Sequence, residues 1–219
     1  MRVRATEADT LASETAPVCS IWSELATGAV RAVDWFCGER RCYLVVRGRP
    51  PSPRRPPGLT ARNLNVLRQT LGGPMHKVTA QDLGVTESAL SFNAARCLRA
   101  MGFGCSASRV PAILVMAVRA RIHPEWTLAA RVVTFAHEGE EYRVYSVPRP
   151  DPATIDTLSS AEREVVRLVV ERRSNAEIAS LRSTSVRTVA NQVNSVIHKL
   201  RVDGRKGILE RLIALAVAS

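Results

Sequence analysis

The sequence predicts an α+β fold, mainly α, built as two tandem modules, each a β-hairpin followed by a four-helix bundle. Three observations lead there. The chain matches itself at a fixed offset, it carries two strand pairs rich in Val, Tyr and Phe with glycine at the turn, and helix-start signals precede apolar residues at a period of 3.6. With 219 residues, 46% of them hydrophobic, there is enough material for one large domain or two small ones.

Sliding the chain against itself by 99 positions places Val33 on Val132, Phe36 on Phe135, Tyr43 on Tyr142 and Val45 on Val144. The match runs on through Leu59 on Leu158, Thr60 on Ser159, Val66 on Val165, Ala80 on Ala179 and Thr86 on Ser185. It ends with Leu90 on Val189, Leu98 on Ile197, Met101 on Leu200 and Phe103 on Val202, without a gap. Order, shared hydroxyls and shared tyrosines together make duplication a better account than chance.

Residues 1–20 read as an N-terminal tail, charged and without a signal-peptide apolar core. Residues 21–120 form the first module. Its strands fall at 30–36 and 41–46 around Gly38, and a Pro-rich connector follows at 49–57, where prolines cannot donate to a ladder. The helical part keeps an apolar skeleton of Val66, Leu67, Ala80, Leu83, Val85, Leu90, Leu98, Met101, Ile113 and Leu114. Residues 121–157 hold the second hairpin, with strands at 130–136 and 141–147 around Gly139, and a second Pro-rich connector at 148–152. An isolated hairpin is marginal in water, so each must pack on helices or on the other hairpin.

Residues 158–219 carry the strongest signal. Ser159 and Glu162 have the spacing of a capping box, as do Ser174 and Glu177, and Ser185 is a good cap for a third helix. On that third helix Val189, Val193, Val196, Ile197 and Leu200 fall on one face. Arg187, Ala190, Asn191, Asn194, Ser195 and His198 lie on the other face, none of them acidic. Short polar and amide side chains on an outer helix face suit the major groove, where Asn pairs with adenine and Arg with guanine or phosphate. A short helix, a tight turn and a capped third helix make this a helix-turn-helix rather than an ordinary solvated bundle. Ile208, Leu209, Leu212, Ile213 and Leu215 form a fourth apolar helix, which closes the bundle or serves as a dimer seam.

The runs LSSAEREVV from Leu158, SNAEIA from Ser174 and SVRTV from Ser185, with Lys199 and Leu200, resemble the LuxR/GerE family of transcription regulators. The resemblance implies four helices, the second and third forming the helix-turn-helix and the fourth often supporting dimerisation. It puts Ala190, Asn191 and Asn194 at base-reading positions, and Arg187, Thr188 and Lys199 where the family meets the phosphate backbone. The sequence departs from the family's pattern at Gln192, usually His, and at Arg182, often Leu. The first module then reads as a degenerate LuxR-type copy. Asn63 replaces the capping Glu, Met75 and His76 replace Ser174 and Asn175, and its outer face becomes Ser88, Ser91, Phe92, Ala95, Arg96 and Arg99. Of these, Ser91, Phe92, Arg96 and Arg99 are the expected secondary contacts.

Charge points the same way. Lys plus Arg number 31 against 20 Asp plus Glu, a net +11, which favours a polyanionic partner. Of the basic residues only Lys77, Lys199 and Lys206 are lysines; arginine's planar fork suits phosphate and guanine. No apolar run reaches membrane-span length, and five cysteines without a CxxC pair fit thiols in a reducing cytoplasm better than a Cys37–Cys42 pairing across the first hairpin. His76, His123, His137 and His198 are scattered, with no nucleophile, carboxylate pair or metal cluster, so neither an enzyme nor a cofactor or metal site is expected. The expected partner is double-stranded DNA, bound by a homodimer or by an intramolecular pseudo-dimer. The alternative is an adaptor using helix-turn-helix folds to bind RNA polymerase, a sigma factor or another regulator.

Overall fold

The computed structural model describes residues 1–11, 14–49, 56–73 and 76–218, and these form two compact units, Met1–Val147 and Pro148–Ser219. The Pro-rich connector expected at 49–57 falls largely on residues 50–55, outside the described residues, as does Met75.

The first unit is built on a five-stranded sheet, ordered β1-β4-β5-β3-β2. Its strands are β1 (Glu14–Pro17), β2 (Val30–Cys37), β3 (Arg41–Gly48), β4 (Ala129–His137) and β5 (Glu140–Pro148). β2 and β3 pair antiparallel with Phe36 opposite Tyr43, and β4 and β5 repeat this with Phe135 opposite Tyr142. The second hairpin turns through Glu138 and Gly139, both at positive φ (52° and 76°), the geometry that matches strand twist in a two-residue loop. The two hairpins do not stand in separate modules: β5 lies beside β3, and β1 adds to the far edge along β4. Joining them gives each hairpin the neighbour that a lone one lacks.

Alternation along the strands divides the core into two layers. On one face Tyr43, Val45 and Val144 are buried with Ala5 of α1 (Arg2–Thr10), and Phe36, Val133, Phe135 and Tyr142 pack around them. Phe36 stacks on Tyr43 at 4.8 Å between ring centres, and Phe135 stacks on Tyr142 at 5.6 Å. Asp9, one turn beyond Ala5, is buried on the same face, where it accepts from the Ser146 hydroxyl and pairs with Arg41 at 3.4 Å. Arg2 forks onto Asp34 at 2.7 and 2.8 Å. Residues 1–20, read from the sequence as a tail, thus form α1, β1 and the start of the next helix. Apart from Ala5 the helix offers the core no apolar stripe, so no helical period announces it.

The opposite strand residues Leu44, Val46, Tyr145 and Val147 are buried on the other side. There α2 (Cys19–Thr27) packs against β2 and α6 (Ala112–Ile122) against β3, and the two helices pack on each other. Three further helices complete the unit: α3 (Ala61–Gly72), α4 (His76–Asp82) and α5 (Glu87–Met101). Thr60 caps α3 and Thr86 caps α5, each accepting a hydrogen bond from the amide three residues on. Asn63, where a capping box would have Glu, donates instead to the Gly58 carbonyl at 3.1 Å. Gly102 ends α5 in the left-handed region at φ 100°, and a side chain there would collide with the Ala32 carbonyl of β2. Of the expected skeleton, Val66, Leu67, Ala80, Leu90, Leu98, Met101, Ile113 and Leu114 are buried, while Leu83 and Val85 are half-buried.

The second unit is a helical bundle of α7 (Ser160–Val170), α8 (Asn175–Leu181), α9 (Val186–Leu200) and α10 (Gly204–Ala218). Its bounds echo the first unit: α8 and α9 lie 99 positions after α4 and α5 at both ends. The fourth helices break the register, because α6 begins at Ala112 and α10 already at Gly204. No helix among the described residues is long and apolar enough to cross a membrane.

Candidate nucleic-acid interface

Both capping boxes of the second unit form. The Ser159 hydroxyl accepts from the Glu162 amide while the Glu162 carboxylate accepts from the Ser159 amide, and Ser174 and Glu177 do the same at α8. α8 ends in a turn through Ser183, at φ 50°, and α9 starts at the N-cap Ser185. Val189, Val193 and Val196 are the buried stripe of α9, packed against α7, α8 and α10. Ile208, Leu209, Leu212 and Ile213 of α10 are buried against the same bundle. Arg205 ties α10 to the start of α8 by donating to the Asn175 side chain and the Arg173 carbonyl.

Glu162 sits at the centre of the bundle's polar bonding. Only 6% exposed, it accepts from the Ser195 hydroxyl at 2.7 Å, from Lys199 Nζ at 2.7 Å and from the Ser159 amide at 2.8 Å. One carboxylate therefore caps α7 and grips α9 at two points one turn apart. Burial alone would raise its pKa, but the hydrogen bonds from Lys199, Ser195 and Ser159 outweigh that and bring it down to about 2. A carboxylate whose pKa is lowered by folding contributes stability above its unfolded pKa and loses it as pH falls through the folded one. The second unit should therefore lose stability between about pH 4.5 and pH 2, by on the order of 1–2 kcal/mol once solvent screening at the half-exposed Lys199 is allowed for. Acid titration of thermal unfolding, compared between the native chain and Glu162→Gln, measures it; equal acid sensitivity of the two would refute the assignment.

This bonding sorts the residues that the sequence nominated. Arg187, Thr188, Asn191, Asn194, His198 and Lys199 are exposed on α9, and Ala190 and Ser195 are half-buried. Ser195 and Lys199 are held by Glu162, so they face the bundle's own carboxylate. Thr188 belongs to the cap, its amide donating to the Ser185 hydroxyl at 3.0 Å. Arg187, Asn191 and Asn194 differ: among the described residues none of their side chains has a hydrogen bond or ion pair. Their spacing of four and then three residues puts them on one outward line of the helix.

Besides the Glu162 grip, sequence reasoning missed a second contact. Arg182, at the end of α8, donates to Gln192 Oε1 at 2.6 Å and to Glu164 Oε2 at 3.0 Å. The two departures from the expected family pattern, Arg182 and Gln192, thus bond to each other and pin α8, α9 and α7 together. The signal was present, since both positions depart at once and their side chains are complementary.

In the first unit α5 exposes Ser91, Phe92, Arg96 and Arg99. Phe92 is 63% exposed, with the Arg96 guanidinium 5.8 Å from its ring centre. Among the described residues nothing like the Glu162 grip exists there, because Asn63 bonds Gly58 and the positions matching Ser195 and Lys199 are Arg96 and Ala100. Among the described residues no group of three His, Cys, Asp or Glu is placed to hold a metal ion.

Residues 156–210 match the family described as bacterial regulatory proteins, luxR family, so the C-terminus of the chain is a helix-turn-helix of that family. The matched span takes in α7, α8, α9 and the first half of α10. No curated protein and no solved structure matches the chain.

Proposed function

Starting from a C-terminal domain of the luxR family, we propose that this protein is a transcription regulator that binds double-stranded DNA by laying α9 in the major groove. The observation that carries this reading is the outward line of Arg187, Asn191 and Asn194, polar side chains unengaged by the described residues of the protein itself. Asn191 and Asn194 read base edges, Arg187 takes a phosphate or a guanine, and the small Ala190 allows close approach. Thr188, Ser195, His198 and Lys199 border the same contact. Ser195 and Lys199 act mainly through the Glu162 grip that fixes the helix angle, with Lys199 also lending charge to the backbone.

Binding of the full chain to a DNA duplex, followed as a function of salt, tests this reading. Affinity should fall steeply between low and moderate salt, and Arg187→Ala should weaken binding to all sequences and lower the salt slope by about one phosphate contact. Affinity independent of salt, or absent at low salt, would defeat it.

The matching bounds of the hairpins and of α4/α8 and α5/α9 support a duplicated module in which the second copy reads DNA and the first has lost its reading face. The chain then supplies two related helices in one molecule, a pseudo-dimer, and a homodimer is the other assembly of the same parts. One observation favours a protein partner for the first copy: Phe92 stands exposed where α9 has Asn191. In that second reading α5 contacts RNA polymerase, a sigma factor or another regulator, and Phe92→Ala would weaken transcriptional output while leaving DNA affinity unchanged.

A further inference from the structure

The first hairpin closes on a pair of thiols that DNA binding does not use. Cys37 and Cys42 are directly opposite each other in the β2–β3 register, both in the thiol form, with their sulfurs 2.8 Å apart. The Gly38 amide donates to the Arg41 carbonyl at 2.8 Å, so residues 38 and 41 are the last hydrogen-bonded pair of the ladder. Residues 37 and 42 are then the adjacent pair without ladder hydrogen bonds, where opposing Cα atoms come closest, about 4.5 Å apart. That separation falls inside the span of about 4.4–6.8 Å that a disulfide bridges. The two thiols differ in access: Cys42 is 1% exposed, whereas Cys37 is half-buried. A partly accessible outer sulfur thus stands against a sheltered inner one.

We propose that Cys37 and Cys42 form a redox modification site, a dithiol that a hydroperoxide closes to an intramolecular disulfide. The Cys37 thiolate attacks the peroxide, the O–O bond breaks, and the departing hydroxide takes a proton to leave as water, with Cys37 now a sulfenic acid. The Cys42 sulfur then attacks the Cys37 sulfur, so that the S–S bond forms and the S–O bond breaks. The released hydroxide combines with the Cys42 proton as a second water. In sum, two thiols give up two electrons and two protons, and one hydrogen peroxide becomes two waters. The resolving step needs no chain rearrangement, because the sulfurs already touch. Cys97 is excluded from this chemistry: it is fully buried, and burial pushes its thiol up to about 12, so it stays protonated. The closed loop would be short, so the bridge adds little stability and an external dithiol reopens it.

The sequence supplies a clean assay, because Arg40 and Arg41 lie between the two cysteines. Trypsin separates residues 32–40 from residues 42–47, so the two peptides stay together only through a disulfide. After treatment of the full chain with one equivalent of hydrogen peroxide, two of its five thiols should be lost to alkylation under denaturing conditions. The linked peptide pair should appear two hydrogens lighter than the sum of its parts and should vanish with dithiothreitol. Cys37→Ser should abolish the link and leave Cys42 alkylatable. The proposal is overturned if Cys37 runs on to the sulfinic acid with Cys42 still a thiol. It is equally overturned if the bridge forms between chains, or if oxidation falls first on Cys19 or Cys105.

Discussion

Glu162→Ala is expected to destabilise the second unit by about 3 kcal/mol and to loosen α9 before the rest of the bundle. Two losses combine. The substitution removes half of the capping box at Ser159, worth about 1 kcal/mol, and strips Ser195 and Lys199 of the carboxylate that holds them. Breaking one side of a buried pair costs about 3–5 kcal/mol when the remaining charge is sealed in; Lys199 can turn to water, so the expected figure lies at the low end. Glu162→Gln keeps an oxygen for the cap and should cost less. Denaturant unfolding gives the size, and amide exchange along α9 gives the place. If exchange accelerates evenly over all four helices, Glu162 is an ordinary stabilising residue rather than the fixture of α9. The same variant should weaken DNA binding at temperatures where the chain is still folded, because a helix that wanders cannot hold base contacts.

The second large effect lies on the outer line of α9. Asn191→Ala with Asn194→Ala should leave folding untouched, since both side chains are exposed and without partners among the described residues. Each bidentate contact to a base is worth about 1–3 kcal/mol of discrimination, so losing two should remove most of the preference for the best site over a scrambled one. Affinity for unrelated DNA should change little, because Arg187 and the basic surface remain. Competition between the selected site and scrambled duplex measures the ratio directly. A ratio unchanged by the double substitution would take base reading away from these two residues and give it to Arg187, or to the first unit. A fall in affinity equal for both duplexes would make them backbone contacts.

Much of the second unit was legible in the sequence because its signals are local. Hydroxyl caps at Ser159, Ser174 and Ser185, and the valine stripe of α9, need only a few neighbouring residues to be recognised. The hairpins were legible because each strand pair alternates Val, Tyr and Phe around a glycine turn, and the two pairs are patterned alike. What escaped was nonlocal. Nothing in a strand's composition says that β5 will choose β3, or that four residues near the start will run along β4. α1 was hidden because a helix that contributes Ala5 and a buried Asp9 carries no apolar period. In the site, Arg187, Asn191 and Asn194 are legible from helical spacing and from the family resemblance, whereas the commitment of Ser195 and Lys199 to Glu162 is not. Those residues lie more than thirty positions from the carboxylate, and polar pairing at that range leaves no pattern in a single sequence. The Arg182–Gln192 contact is half visible in the sequence, as two departures from one pattern with complementary side chains.

The most direct test of the account is selection of bound duplexes from a random DNA pool by the full chain, at low and at moderate salt. A reproducible motif is expected, enriched at both salts, whose positions lose their preference when the selection is repeated with Asn191→Ala and Asn194→Ala. Binding at low salt with no enriched motif, or no binding at either salt, would contradict the claim that α9 reads DNA sequence.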